Sequence, residues 1–204
     1  MTERDRFLYD AWTRQLERMR AMQYAYNRKF FVLLLVSSAA VACAFHLGSL
    51  PLLALVGPGL VTTGMTASFF LHQCDFARVH AQAMEQRINR LLGGRVLIAS
   101  ELEAEYFYPH AVPKLSGVTW GRPWTLFNWF TLHFTVSWAA LTAWALWLLN
   151  ARWESPVLVA YLVALGAWAA SNVWVLARWF GTAHAERRMQ DQLRADDGLT
   201  PGGN

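Results

Sequence analysis

Two kinds of apolar pattern succeed one another along this chain. Residues 4–28 place Leu8, Trp12, Leu16, Met19 and Tyr26 at spacings near three and four, which predicts an amphipathic helix. At Phe30, with no Gly or Pro between, the stripe gives way to an apolar run that reaches Cys74 without one Asp, Glu, Lys or Arg. A helix crosses the hydrocarbon of a bilayer in about 20 residues, and this run is about twice that length. The segment "HLGSLP" at 46–51 carries turn chemistry, so the run predicts a hairpin of two spans, 30–47 and 51–72. Residues 76–92, "FARVHAQAMEQRINRLL", return to helical spacing with Val79, Ala83, Ile88, Leu91 and Leu92. Both spans are therefore expected to continue beyond the membrane as polar rods, paired with each other. Gly93 and Gly94 stop the second rod, "RVLIASELEAEYF" predicts a short third helix, and "YPHAVPKLSGVTWGRP" is a linker rich in Pro and Gly. Two further stretches without charge, 123–151 and 155–177, predict spans at 125–149 and 156–179.

Composition supports this reading. With 55% hydrophobic residues, 16% charged residues and 11 Trp among 204 positions, the chain is more apolar than a soluble domain of its size can bury. The expected fold class is all-α: an integral membrane four-helix protein with cytoplasmic helical extensions of the spans. Its regions are a cytoplasmic amphipathic helix (1–29), a transmembrane hairpin (30–72), a cytoplasmic helical region and linker (73–124), a second hairpin (125–179) and a cytoplasmic tail (180–204) whose end is expected to be disordered. "RKFFVLLLVSSAAVACA" has the layout of a signal peptide, but 29 mostly polar residues precede it, where such peptides begin with a short basic segment. It is expected to be a span, and Cys43 a small apolar residue within it. Cys74 falls at the opposite end of the hairpin, too far for a disulfide.

Lys and Arg set the orientation. Seven precede the first span, six lie between the second and third, four follow Ala177, and only Arg152 falls elsewhere. With four spans these three groups share one face. The bias of positive charge towards the cytoplasm then places both termini inside a bacterial inner membrane, with two tight turns on the other side. Trp120, Trp124 and Trp129 are expected at the inner interface, and Trp147 and Trp153 at the outer one.

Candidate chemistry is sparse. His80 and His184 lack a second ligand at helical spacing, "HQCD" at 72–75 matches no metal spacing, and no GxxxxGK[ST] occurs. No metal, cofactor, catalytic residue or enzymatic activity is expected. His133, inside the third span, is expected to hydrogen-bond across the bundle, a proton relay being the alternative. Glu101, Glu103 and Glu105 alternate along the short helix and are read as a solvated edge. The second span differs from the others: it carries Thr62, Thr63, Thr66 and Ser68 with Gly57, Gly59 and Gly64. Close helix packing explains such residues, with Gly64 and Ser68 joined by Ala160, Ala164 and Ser171 of the fourth span as oligomer contacts. Alternatively Thr62, Thr66 and Thr63 line an aqueous path around an oligomer axis, since neutral hydroxyls contact hydrated ions without burying a charge. The lack of intramembrane charge disfavours a coupled transporter, although "GPG" at 57–59 could break a helix as such sites require. Arg87, Arg90 and Arg95 cluster with Asn89 beside the glycine pair. Orientation and lipid headgroups account for them, and guanidinium groups beside exposed amides could also hold phosphates.

A juxtamembrane helix rich in Tyr, Trp and Arg ("YAYNRKFF"), running into a tight pair of spans and out through a long basic helix ("HAQAMEQRINRLL"), resembles the SLATT-type membrane effectors and, more broadly, the small multi-span effectors of nucleotide-signalled bacterial phage defence. The resemblance covers residues 7–92, and the third and fourth spans are additional to that family's core. It implies an oligomeric pore controlled by a cytoplasmic nucleotide-derived ligand, whose opening depolarises the cell. The expectation is thus a homo-oligomeric ion channel in contact with membrane lipid, gated by an anionic nucleotide or oligonucleotide, or by a soluble cytoplasmic partner protein. The alternative is a non-conducting sensor or scaffold that recruits such a partner, with a membrane-embedded enzyme third.

Overall fold

The computed structural model describes residues 2–106, 114–115, 118–119, 125–179, 187–188 and 191, with side chains left aside at 104–106, 114–115, 118–119 and 179. Five helices follow in order: α1 (Glu3–Leu47), α2 (Leu50–Leu91), α3 (Ala99–Tyr106), α4 (Leu126–Asn150) and α5 (Ser155–Trp179). Four of them, all but α3, are long and apolar enough to cross a membrane. At about 1.5 Å per residue, the 25 residues of α4 and of α5 exceed the roughly 30 Å of hydrocarbon in a bilayer. α1 and α2, with 45 and 42 residues, reach well beyond it. The expected linker holds one departure from an all-helical chain, a ladder of two-residue strands in which β1 (Lys114–Leu115) pairs antiparallel with β2 (Val118–Thr119). The rest of that linker, Trp120, Trp124, His184 and most of the tail lie outside the described residues.

The long rods follow from local sequence. Thr2 caps α1: its hydroxyl accepts from the Asp5 amide at 3.2 Å while the Asp5 carboxylate accepts from the Thr2 amide at 2.7 Å, a reciprocal box at the helix start. Those bonds hold the Asp5 carboxyl below its ordinary pKa. No helix-breaking residue follows until Gly48, whose φ of 60° lies in the left-handed region that glycine enters without strain. The chain then reverses through Ser49 into α2, with Pro51 in its first turn.

α2 passes through Gly57, Pro58 and Gly59 without interruption, so the break that "GPG" could have supplied is absent. The reason is specific. Pro58 has no N–H, which leaves the carbonyl of Ala54 without its intrahelical donor. The phenolic hydroxyl of Tyr161 on α5 donates to that carbonyl at 2.6 Å. It can reach because Gly57 has no side chain: a Cβ there would stand 3.0 Å from Leu165 and 3.3 Å from the Tyr161 oxygen. At membrane depth an unsatisfied carbonyl has no water to turn to. Tyr161→Phe should therefore destabilise the bundle by about 1 kcal/mol. A detergent melt of the variant should fall by about 2–4 °C, and an unchanged midpoint would show that α5 does not depend on this bond.

α2 is the centre of the bundle, with α1 antiparallel along its length and α4 and α5 on its apolar half. Phe30 and Leu34 of α1 pack with Ala67 and Leu71 of α2 and Phe127 of α4 in one cluster. Ala44, Val56, Leu60 and Ala145 form a second, nearer the turns. Arg152, in the α4–α5 turn, donates to the Gly48 carbonyl at 3.0 Å, so both tight turns lie at the same end, and the polar rods project from the other. Trp129 and Trp147 are exposed near opposite ends of α4, and Trp153 meets Tyr161 edge-on at 5.4 Å. The outward faces stay strongly apolar: Leu35, Trp147 and Val163 are each about two-thirds exposed or more, a surface suited to lipid or to another copy of the chain.

Candidate functional site

The three threonines expected to act together do not share a face. Thr63 is buried, and its hydroxyl lies 3.0 Å from that of Ser37 on α1 and donates to the Gly59 carbonyl at 2.8 Å. It joins α1 to α2. Thr62 is exposed and Thr66 half-buried on one stripe of α2, with Leu55, Gly59 and Phe69 exposed above and below them. Thr62 donates to the Pro58 carbonyl at 2.9 Å and Thr66 to the Thr62 carbonyl at 3.0 Å, so each oxygen keeps lone pairs for an outside partner. The small residues divide likewise. Ser68 is turned inward and donates to Gly64, whereas Ala160, Ala164 and Ser171 are exposed on α5. His133 also faces outward, with no hydrogen bond to the described residues, so the expected bond across the bundle is absent within one chain.

The polar end holds the densest chemistry, and most of it was not expected. Arg20 of α1 is gripped by two carboxylates from different elements: it pairs with Glu85 of α2, and its Nη1 lies 2.5 Å from Glu103 of α3. Gln23 adds a bond to Glu103 at 3.2 Å and receives one from Arg20 at 3.0 Å. The second oxygen of Glu85 accepts the Ser100 amide at 2.9 Å, at the start of α3. Arg78, buried beside them, bonds Asp75 at 3.2 Å and lies 3.8 Å from Glu103. Burial works against charge on Arg20, but the hydrogen bonds and charges of Glu103 and Glu85 outweigh it and raise its pKa above the ordinary value. Glu103 is thus not part of a solvated edge; it fastens α3 across the two rods. The signal was present in the sequence. Arg20 and Gln23 continue the Leu16–Met19 stripe, and Arg78 and Glu85 stand in phase with Leu71, Cys74, Ala81 and Ile88. A charge on the buried stripe of a helix needs an opposite charge facing it.

Cys74 lies at the boundary of this cluster, buried, with its thiol 3.7 Å from the Gln23 carbonyl. Burial and the neighbouring Asp75 push its pKa up to about 12. Below a pH of about 9 the thiol is neutral both folded and unfolded, and above it the unfolded chain ionises first, so folding weakens as pH rises through that window. At pH 8 a water-soluble maleimide should leave buried Cys74 unlabelled until the protein is unfolded; ready labelling of Cys74 in the folded protein would show the rods separating on the labelling timescale.

Arg87, Arg90 and Arg95 occupy the end of α2 and the loop after it, where the expected set of free backbone amides is absent. The Asn89 carboxamide oxygen accepts the Val96 and Leu97 amides at 3.0 and 2.8 Å, and its nitrogen donates to the Leu97 carbonyl at 2.7 Å. Gly93 and Gly94 bond back to Arg90 and Asn89. Asn89 is therefore the organiser of the loop. Arg95 is exposed and paired with Glu101 of α3, so an anion at this loop would meet guanidinium groups and little backbone.

A cleft of about 340 Å³ opens among α2, α4 and α5 within the apolar half. No group of three or more His, Cys, Asp and Glu side chains able to hold a metal occurs among the described residues. No protein-family model, curated protein or solved structure matches this chain.

Proposed function

We propose that several copies of this chain assemble in a bacterial inner membrane, termini in the cytoplasm, as an ion-conducting pore gated from the cytoplasmic side. The carrying observation is the outward stripe of Gly59, Thr62 and Thr66 on α2, in a span whose other exposed positions are mostly apolar. Hydroxyls that face outward from a membrane helix gain most where they meet water or another subunit. The split of Lys and Arg supports the orientation, and the two tight turns at one end agree with four spans. The rods supply the coupling. α1 and α2 are continuous from the Arg20–Glu85–Glu103 cluster to the threonine stripe, so a rearrangement at α3 can be transmitted as rotation or shift. An anionic nucleotide or oligonucleotide drawn to Arg87, Arg90 and Arg95 competes with Glu101 for Arg95, and so loosens α3 from the rods. The resemblance of residues 7–92 to SLATT-type phage-defence effectors implies a pore controlled by a cytoplasmic nucleotide-derived ligand, in keeping with this reading.

Substituted-cysteine labelling tests the pore lining. In the reconstituted protein, Thr62→Cys and Thr66→Cys should react with a charged, water-soluble thiol reagent, and Val163→Cys on α5 should not. Protection of both threonine positions would assign that stripe to lipid or to dry subunit packing.

A further inference from the structure

We propose that Gly57, Pro58 and Gly59 form a hinge in α2, that the Tyr161 hydroxyl of α5 is the latch holding it closed, and that its bending turns the Thr62–Thr66 stripe. The hinge and its latch stand on the geometry of one chain, whereas any effect on conduction rests on the pore reading.

The segment gathers the local causes of helix bending. Pro58 lies inside α2, lacking an N–H and carrying a ring that crowds the preceding turn. Gly57 and Gly59 flank it. A Cβ at Gly59 would meet nothing within 4 Å, so packing within the chain does not call for a glycine there, and its consequence is a more pliant backbone. Thr62 and Thr63 then donate to the carbonyls of Pro58 and Gly59 at 2.9 and 2.8 Å, and hydroxyls bonded back to their own helix also favour bending. Yet α2 runs unbroken from Leu50 to Leu91.

What closes the hinge comes from outside α2. The Tyr161 hydroxyl donates at 2.6 Å to the Ala54 carbonyl, the acceptor that Pro58 leaves without its intrahelical donor. A bond made by a neighbouring helix is withdrawn when that helix shifts. Water can replace it, because Ala54 stands about 6 Å along the helix from Leu50, at the end where Arg152 joins the two turns. Opening thus exchanges one hydrogen bond for another. The neighbours permit bending: Val56 and Leu60, on either side of Pro58, cluster with Ala44 of α1 and Ala145 of α4, side chains too short to lock the two halves of α2 together. The stripe follows the hinge, since the Pro58 carbonyl accepts from Thr62 and the Thr62 carbonyl accepts from Thr66. A kink of about 20° at Pro58 moves Thr66, about 12 Å further along the helix, by roughly 4 Å relative to the first turns of α2.

Hydrogen–deuterium exchange of the reconstituted protein, read by mass spectrometry over residues 54–63, tests the hinge without reference to conduction. Tyr161→Phe should speed exchange there by about fivefold and leave residues 74–88 at the wild-type rate. Pro58→Ala returns an N–H to the Ala54 carbonyl, so adding Tyr161→Phe to it should leave exchange where Pro58→Ala alone puts it. Unchanged exchange in Tyr161→Phe, a rise shared equally by residues 74–88, or the same fivefold effect with and without Pro58 overturns the hinge. Flux through vesicles separates this outcome from the pore reading. Conduction that Tyr161→Phe alters in the wild-type background and not in Pro58→Ala upholds the coupling to the stripe, and conduction that Tyr161→Phe leaves unchanged overturns it. The expected exchange in vesicles that never conduct upholds the hinge and its latch, and overturns the pore reading alone.

Discussion

Arg20→Ala should destabilise the polar end by about 3 kcal/mol and release α3 from the rods. The arginine pairs with Glu85 and also bonds Glu103. Without it Glu85, on a side chain only 3% exposed, loses its ion pair, while Glu103 keeps Arg78 at 3.8 Å. Breaking a buried pair from one side leaves the other charge desolvated and uncompensated, which costs more than the intact pair contributes. Arg20→Lys keeps the charge and loses the fork that reaches two acceptors at once, so it should fall between the two. Arg18→Ala, exposed on the same helix, should change stability by no more than about 0.5 kcal/mol. Limited proteolysis between residues 93 and 106 reads the release directly. Equal cleavage of the Arg20→Ala and Arg18→Ala proteins would mean that α3 is held by something other than this cluster.

The other large effect concerns conduction. Thr62→Val with Thr66→Val keeps side-chain shape and removes both hydroxyls, so ion flux through the assembled protein should drop by about tenfold or more, since an apolar constriction sheds water. Thr62→Ser with Thr66→Ser should retain most of the flux, because the hydroxyls and their bonds to Pro58 and Thr62 carbonyls persist. Insertion and oligomer size should be unchanged in both. Equal flux in the valine and serine pairs would remove these residues from the conducting path.

How much of this was legible in the sequence varies by element. The helices were, because charge-free runs and helical stripes report the environment of each segment independently of its neighbours. The boundaries at Gly48 and Gly93 followed from turn residues, and the one at Ser155 from the start of a charge-free run. What could not be read was which helix faces meet. Thr62 and Thr63 are adjacent in sequence, yet one looks outward and the other bonds Ser37, a difference fixed by where α1 lies against α2. Glu103 illustrates the same limit: its spacing from Glu101 and Glu105 says only that it occupies a different side of α3, and its role depends on Arg20, 83 positions away. Asn89 was singled out as a ligand-site neighbour, whereas the fold uses its amide to shape the loop at Val96 and Leu97. Pro58 looked like a helix break because its remedy, the Tyr161 hydroxyl, reaches the Ala54 carbonyl from 107 residues further along the chain.

The central claim, that copies of this chain form a gated pore, is tested most directly by ion flux from liposomes containing the purified, assembled wild-type protein. The vesicles should discharge a potassium gradient, and flux should change when an anionic nucleotide or oligonucleotide, or extract from phage-infected cells, is added. An intact oligomer in vesicles that stay sealed under every one of those conditions would contradict it, and would leave a membrane scaffold that recruits a soluble partner as the better description.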